Sequence, residues 1–368
     1  MTNRAVLVVP GDLDSRTGGY IYDRHIVDGL RGAGWAVDVK TLDDSFPWPT
    51  TGAVSHAAAV FEDLAAGTIT LVDSLALGAI PEIIERHGSR LLLVALVHLP
   101  LAADVGIEPE MAARFADTER RALRAASLVI VTGRATLSLL AHYDLPPSRV
   151  VVIEPGTNPA PLARGSGGSP FQLLCVATLN QGKGHELLIT ALAALPSRNW
   201  QLTCAGGLTR HPPTVERVRA IIEKCRLNDH VVLTGDLDAD TLETCYDRSD
   251  LFVLATLRET YGMAVAEALA HGLPVVSTIT GAIPDLVGSE AGLLVPPGSI
   301  SALTDALARF INDADLRARL AAGARRVRPS LPAWNVMVDK MAAALKSVEA
   351  HFQNDDVVDD VDPPDIYE

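Results

Sequence analysis

The stretch Leu251-Phe252-Val253-Leu254-Ala255, followed by Arg258-Glu259-Thr260-Tyr261-Gly262-Met263-Ala264-Val265-Ala266-Glu267-Ala268, decides how this chain folds. Five apolar residues make a buried strand. A short polar turn carries Glu259, and an Ala-rich helix then opens at a Tyr-Gly pair. Glu267 sits eight residues after Glu259, just over two helical turns on. A helix start offers free N–H groups to a phosphate. The two carboxylates can accept hydrogen bonds from hydroxyls. Strand, acidic turn, bare helix start and second carboxylate together suit a nucleotide diphosphate carrying a sugar. Glu267 lies in a largely apolar helix, where a carboxylate needs a partner, and ribose hydroxyls are the expected one.

The same strand-then-helix alternation runs along all 368 residues and predicts parallel α/β sheets. In the first half, strands are expected at 5–9, 36–39, 69–72, 90–97, 128–132 and 150–153, with helices such as 20–32 and 111–125 between them. Residues 158–170, rich in Pro, Gly and Ser, read as a linker. The pattern restarts with strands at 172–177, 201–205, 231–234, 251–255, 274–278 and 292–295. Helices are expected at 185–195, 214–226, 239–247, 263–271, 300–312 and 315–327, and a last one over 333–348. The length suits two domains of ordinary size. In a doubly wound domain, ligands bind at the carboxyl ends of the strands.

Composition narrows the partners. Apolar residues make up 48% and charged residues 21%, which is globular. The net charge is −14, but seven acids and no Lys or Arg lie between Gln353 and Glu368, so the rest carries −7. An acidic body argues against nucleic acid and against stable association with anionic membranes. The tail reads as disordered. The N-terminus, which runs straight into a strand, reads as carrying no signal peptide, and reduced cysteines and a cytoplasmic address are expected. No two of Cys175, Cys204, Cys225 and Cys245 have metal-ligand spacing, and Cys175 and Cys204 fall in apolar strands as small hydrophobes. The Asp-x-Asp triplets at Asp12, Asp236, Asp238 and Asp313 have no His cluster and read as surface or capping groups.

Other candidates sit at strand ends. Gly18-Gly19 follows the first strand and precedes a helix, either as a plain turn or as a site where a ligand approaches the backbone. His98 ends the strand at 90–97, as a satisfied structural histidine or as a residue on the ligand edge. Lys183, between Gly182 and Gly184 at a helix start, can neutralise phosphate as a point charge. Neither a dinucleotide fingerprint nor a P-loop is present, which disfavours a dehydrogenase.

These pieces, taken in order, resemble a known family. Gly18-Gly19, Val97-His98-Leu99-Pro100, Glu154-Pro155-Gly156-Thr157, Lys183-Gly184, the Glu259/Glu267 pair, His271-Gly272-Leu273-Pro274, Gly281 with Asp285, and Gly292-Leu293-Leu294-Val295-Pro296-Pro297-Gly298 are similar to the motifs of family 4 retaining glycosyltransferases of the GT-B fold, the glycosyl transferases group 1. The resemblance covers nearly the whole chain. It implies an α/β protein of two Rossmann-like doubly wound parallel-sheet domains with an interdomain cleft. Residues 1–160 would form an acceptor-binding domain and 161–330 a nucleotide-sugar-binding domain. Residues 331–350 would be a helix crossing back, and 351–368 the acidic tail.

The implied activity is hexosyl transfer from a nucleotide-diphosphate sugar to a small soluble acceptor, with retention, no metal and no cofactor. By resemblance Glu267 binds the ribose and Glu259 the sugar hydroxyls. Thr260 and the amides of Tyr261, Gly262, Met263 and Ala264 cradle the diphosphate. Lys183 neutralises the leaving phosphate, Gly18 and Gly19 approach it from the other domain, and His98 lies near the donor sugar. The strand end with Gly235 and Leu237 contacts the base. Members usually carry an arginine five residues before the lysine. Here Thr178 stands there, leaving Arg16 or Arg258 to supply the charge. Residues 12–22, 43–56 and 98–115 would surround the acceptor, with Phe46 and Trp48 as an aromatic platform or as a packed loop. Three rival readings are a sugar-nucleotide epimerase, a phosphorylase and a non-catalytic sugar-nucleotide-binding partner.

Overall fold

The structure, a computed structural model, describes residues 3–358, with side chains through Ala350. The first sheet contains β1 (Arg4–Pro10), β2 (Ala36–Leu42), β3 (Ile69–Asp73), β4 (Leu92–Val97), β5 (Leu128–Val131) and β6 (Val150–Val152). The second contains β7 (Phe171–Val176), β8 (Trp200–Ala205), β9 (Val231–Gly235), β10 (Leu251–Leu254), β11 (Val275–Thr278) and β12 (Gly292–Val295). Each strand overlaps a segment expected from the sequence. The reason is burial on both faces: β3 and β4 have no exposed residue, and such strands read as continuous apolar runs.

Helices cover both faces of each sheet. Around the first lie α1 (Gly18–Gly32), α2 (Thr51–Glu62), α3 (Ser74–Leu77), α4 (Pro81–His87), α5 (Pro109–Ala125) and α6 (Arg134–Leu140). Around the second lie α7 (His185–Ala193), α8 (Pro212–Lys224), α9 (Ala239–Arg248), α10 (Met263–Ala270), α11 (Ile283–Val287), α12 (Ile300–Asn312) and α13 (Ala314–Val327). The last helix, α14 (Trp334–Val358), follows them.

All strand pairings are parallel, and the sheet orders place the site. The first sheet runs β2-β1-β3-β4-β5-β6 and the second β12-β11-β10-β7-β8-β9. In each, the winding direction reverses beside the sheet's first strand: between β1 and β3, and between β7 and β10. Loops leaving the two strands at a reversal point diverge, and their carboxyl ends border a crevice. The two sheets therefore supply two crevices.

The chain returns to its first domain at the end. Met337, Val338, Met341, Leu345 and Val348 of α14 are buried in one cluster with Tyr22, Ile26 and Leu30 of α1 and with Leu7, Leu71 and Val94 of the first sheet. The Trp334 ring stacks on His25 with centroids 4.0 Å apart and meets the edge of Tyr22 at 5.8 Å. Thr157 N–H donates to the Pro332 carbonyl at 2.7 Å. At Gly156 the two segments come so close that a Cβ would lie 2.4 Å from the Trp334 backbone.

α14 runs further than the sequence reading, through Val358 rather than 348, and takes in the start of the segment read as tail. No Gly or Pro interrupts the sequence between Trp334 and Pro363, so nothing local stops the helix. Residues 359–368, and the disorder expected there, lie outside the described residues.

Gly156→Ala should destabilise the protein by roughly 1–3 kcal/mol, because a rigid backbone has to move. Gly168→Ala, with nothing within 4 Å of its added Cβ, is the control. Calorimetry should show a lower melting temperature only for the first. Equal melting of the two variants would mean the α14 junction yields freely.

Candidate active site in the interdomain cleft

The carboxyl end of β7 leads into a 3-10 turn, Gln181–Lys183. The Asn180 side chain accepts from Lys183 N–H at 3.0 Å and shapes that turn. Gly184 then starts α7 at φ +67°, and a Cβ there would lie 2.0 Å from the Ala255 carbonyl oxygen. Only glycine allows so close an approach to the end of β10. The two loops are tied: Leu257 N–H and the Thr256 hydroxyl both donate to the Gly182 carbonyl, at 2.7 and 3.1 Å. Neighbouring strands at the reversal point thus bring Lys183 Nζ to 2.6 Å from Glu259 Oε2. The sequence reading gave these residues separate partners, phosphate and sugar hydroxyls. In the structure they hold each other, and both line the cleft.

Beyond Glu259 the chain turns at Gly262, φ +101°, which starts α10 without a capping side chain. Thr260, Tyr261, Gly262, Met263, Ala264 and Glu267 all line the cleft. Burial pushes the Glu267 carboxyl above its ordinary range, offset by a hydrogen bond from Tyr246. That hydroxyl donates to Glu267 Oε2 at 3.0 Å. The expected ribose partner therefore has a protein counterpart already in place. The Tyr246 ring is held by stacking on His271, centroids 4.5 Å apart and 8° from parallel. Sequence reasoning missed Tyr246. It lies on α9, and no spacing rule links it to α10.

The opposite wall belongs to the first domain. Gly18 and Gly19 form the first turn of α1 rather than a loop, and Thr17 ahead of them makes no side-chain cap. A Cβ on Gly19 would lie 3.2 Å from His98 Cδ2, so the glycine lets the helix start sit against the imidazole. His98 lines the cleft and is gripped from behind, which joins the two readings the sequence left open. Its Nε2 lies 3.0 Å from Asp23 Oδ1 and 3.6 Å from Asp73 Oδ2. Burial works against its charge, but Asp23 and then Asp73 outweigh this and raise its pKa. Asp73 is itself raised, by burial first and by the charge of Asp23 second. Neither aspartate was singled out from sequence. Asp73 ends the apolar run of β3, and that position was the available signal.

Some expected residues lie apart. Thr178 is on the cleft wall, but Gly235 and Leu237 are not among its lining residues. The Gly235 carbonyl accepts from Gly206 N–H at 2.9 Å, and the Leu237 carbonyl accepts from Arg16 across the cleft. β9 is an edge strand, third from the reversal point. Arg258 reaches the other way, to the Ala103 carbonyl. So both arginines named from sequence line the cleft and bridge the domains. Arg210, which was missed, also lines it, with its guanidinium 5.4 Å from the centre of the Tyr20 ring. Phe46 is buried, and Trp48 packs on Phe115 at 4.9 Å; neither lines the cleft. Asp238 and Asp313 cap α9 and α13. The cleft has a volume of about 380 Å³, in the range of small-molecule sites. No helix among the described residues is long and apolar enough to cross a membrane.

Comparison with known proteins agrees with this geometry. The chain is 30% identical over 275 residues to D-inositol 3-phosphate glycosyltransferase of Salinispora tropica, covering 66% of this chain and 56% of that protein. It is 27% identical over 236 residues to the GDP-mannose-dependent alpha-(1-6)-phosphatidylinositol monomannoside mannosyltransferase of Mycobacterium tuberculosis, covering 58% of this chain and 60% of that one. The matches thus span little more than half the length of these relatives. Among solved structures, sucrose-phosphate synthase from Thermosynechococcus elongatus superposes with a TM-score of 0.79 at 20% identity, over 95% of this chain and 100% of the other. Anabaena HepE, in complex with UDP and glucose, superposes at 0.74 with 19% identity, over 93% and 100%. Such likeness shows a shared fold. Residues 163–327 match the family described as Glycosyl transferases group 1. Over those residues the chain is thus similar to that family, and its two parallel sheets have the GT-B fold of these glycosyltransferases.

Proposed function

We propose that this protein is a retaining glycosyltransferase that moves a sugar from a nucleotide-diphosphate sugar to a small hydroxyl-bearing acceptor, with no metal at the diphosphate. The observation that carries this is the Lys183–Glu259 pair beside the uncapped start of α10, facing the uncapped start of α1. The names of the relatives speak for a polyol acceptor.

In this reading the diphosphate seats on the first amides of α10, where N–H groups and helix dipole favour an anion. Lys183 turns from Glu259 to the phosphate oxygens. Glu259, released, accepts from hydroxyls of the sugar. Each charged group exchanges one partner for another, so none is left buried and unpaired. Glu267 accepts from the ribose while Tyr246 holds its other side. The bond from the anomeric carbon to the phosphate oxygen breaks with its electron pair going to oxygen. The acceptor hydroxyl attacks the same face of the sugar, and its proton passes to the departing diphosphate. Stabilising the charge on that oxygen is the work of Lys183 and the amides. The bridges from Arg16 and Arg258 keep the domains closed, which excludes water.

Three outcomes are expected. At least one of UDP, GDP, ADP or TDP, or its sugar, should raise the melting temperature, since a ligand of the native state stabilises it by mass action. No shift with any of them would sink the donor assignment. Lys183→Ala should lower kcat by roughly 10²–10³ or more with the circular dichroism unchanged. Undiminished turnover would exclude the phosphate role. In this reading the His98 imidazolium, present below its raised pKa and lost above it, donates to a hydroxyl of the donor sugar. The activity should therefore fall as pH rises through that value, and Asp73→Asn, which removes one stabilising carboxylate, should shift the falling limb to lower pH. An unmoved limb would separate His98 from the pH dependence.

A further inference from the structure

Behind the phosphate-facing turn lies a cluster that the proposed chemistry does not use. Cys175 on β7 and Cys204 on β8 are register partners in a parallel ladder, so their side chains emerge side by side. His185, the first residue of α7, reaches in from the next element. All three are buried, at 1%, 0% and 1% exposure. One ligand atom from each lies within 4.8 Å of the others. None of the three lines the cleft.

We propose that Cys175, His185 and Cys204 form a binding site for a thiophilic divalent cation of the Zn²⁺ class, separate from the diphosphate site. Two observations carry it. The first is spacing. Ligands held about 2.0–2.3 Å from one tetrahedral zinc sit roughly 3.5–3.8 Å apart. Cys175 Sγ and His185 Nε2 are 3.7 Å apart. The second is the imidazole itself. Its Nδ1 is buried with no hydrogen-bond partner, and its Nε2 meets only sulfur, a weak acceptor. A buried polar ring normally has a strong partner, and a cation on Nε2 supplies one.

The electrostatics agree. A hydrogen bond from Cys204 and the nearby His185 and Lys183 lower the pKa of Cys175 against the effect of burial, while the hydrogen bond to Cys175 and burial raise that of Cys204. Binding displaces the thiol protons: two S–H bonds break, two metal–sulfur bonds and one metal–nitrogen bond form, and the two protons leave to solvent. No electron is transferred. A cation here joins β7, β8 and the start of α7, and so steadies the turn that carries Lys183.

The test needs no activity measurement. The full chain is stripped with chelator under reducing, oxygen-free conditions and titrated with Co²⁺, then Zn²⁺. A stoichiometric thiolate-to-cobalt charge-transfer band should appear, vanish on adding Zn²⁺, and accompany a rise in melting temperature. Cys175→Ser and Cys204→Ser should each weaken binding by more than the roughly 10–100-fold that loss of an outer-shell partner costs. Cys225→Ser, at a partly exposed cysteine, should change nothing. Should the serine variants fail to fold, X-ray absorption on the zinc-loaded wild type decides the matter by reading sulfur and nitrogen ligands. No charge-transfer band, a band that survives both serine changes, a zinc shell without sulfur, or purified protein in which Cys175 and Cys204 form a disulfide would each overturn the proposal.

Discussion

A helix start without a capping side chain leaves backbone N–H groups that need an acceptor, and this protein sets two such starts on opposite walls of one cleft. α10 begins at Gly262 and α1 at Gly18, both without side-chain caps. Capping oxygens are common at helix starts because they satisfy these donors. Other helices of the chain use them: Thr50 on α2, Asp238 on α9, Ser299 on α12 and Asp313 on α13. Several further helices also lack a side-chain cap, but α1 and α10 start at the reversal points of the two sheets, where loops diverge and a ligand has room.

The same logic of exchangeable partners runs through the side chains. Lys183 and Glu259 hold each other, and Tyr246 holds Glu267. These cleft side chains thus have partners from within the protein. An incoming ligand replaces or adds to these contacts instead of meeting uncompensated charges, which would be costly in a partly dry cleft. His98 is held in the same way, with two aspartates behind it and the start of α1 against its ring. Its support continues through Tyr22, whose ring edge meets His98 at 5.4 Å, to Trp334 on α14. The helix that ends the described chain therefore buttresses the wall of the cleft in the first domain.

Much of the site was legible because parallel sheets concentrate function at strand ends. His98 ends a continuous apolar run, Lys183 stands between glycines at a helix start beyond a strand, and Glu259 follows a buried strand and pairs with Glu267 on the next helix, so local sequence marked them. Gly235 ends a strand and Leu237 follows it, but β9 is an edge strand, and the two meet the cleft only through Gly206 and Arg16, which line it. A linear pattern carries no information on strand order, so it ranks an edge strand equally with a central one. Tyr246, Asp23, Asp73 and Arg210 were missed for a related reason. They act through contacts between elements far apart in sequence, and their own local patterns are those of ordinary helix, strand and loop residues.

The alternation of buried strands and amphipathic helices was determined by the sequence alone, because burying both faces of a strand demands an uninterrupted apolar run and covering it demands a one-sided helix. The glycines at 184 and 262 belong to the same category, since only a residue without Cβ fits their backbone there. Which side chains meet was decided only in three dimensions. Lys183 lies beside Glu259, and Cys175 beside Cys204 and His185, because β7 has β10 on one side and β8 on the other. Strand order depends on long-range packing energy, and no local spacing encodes it.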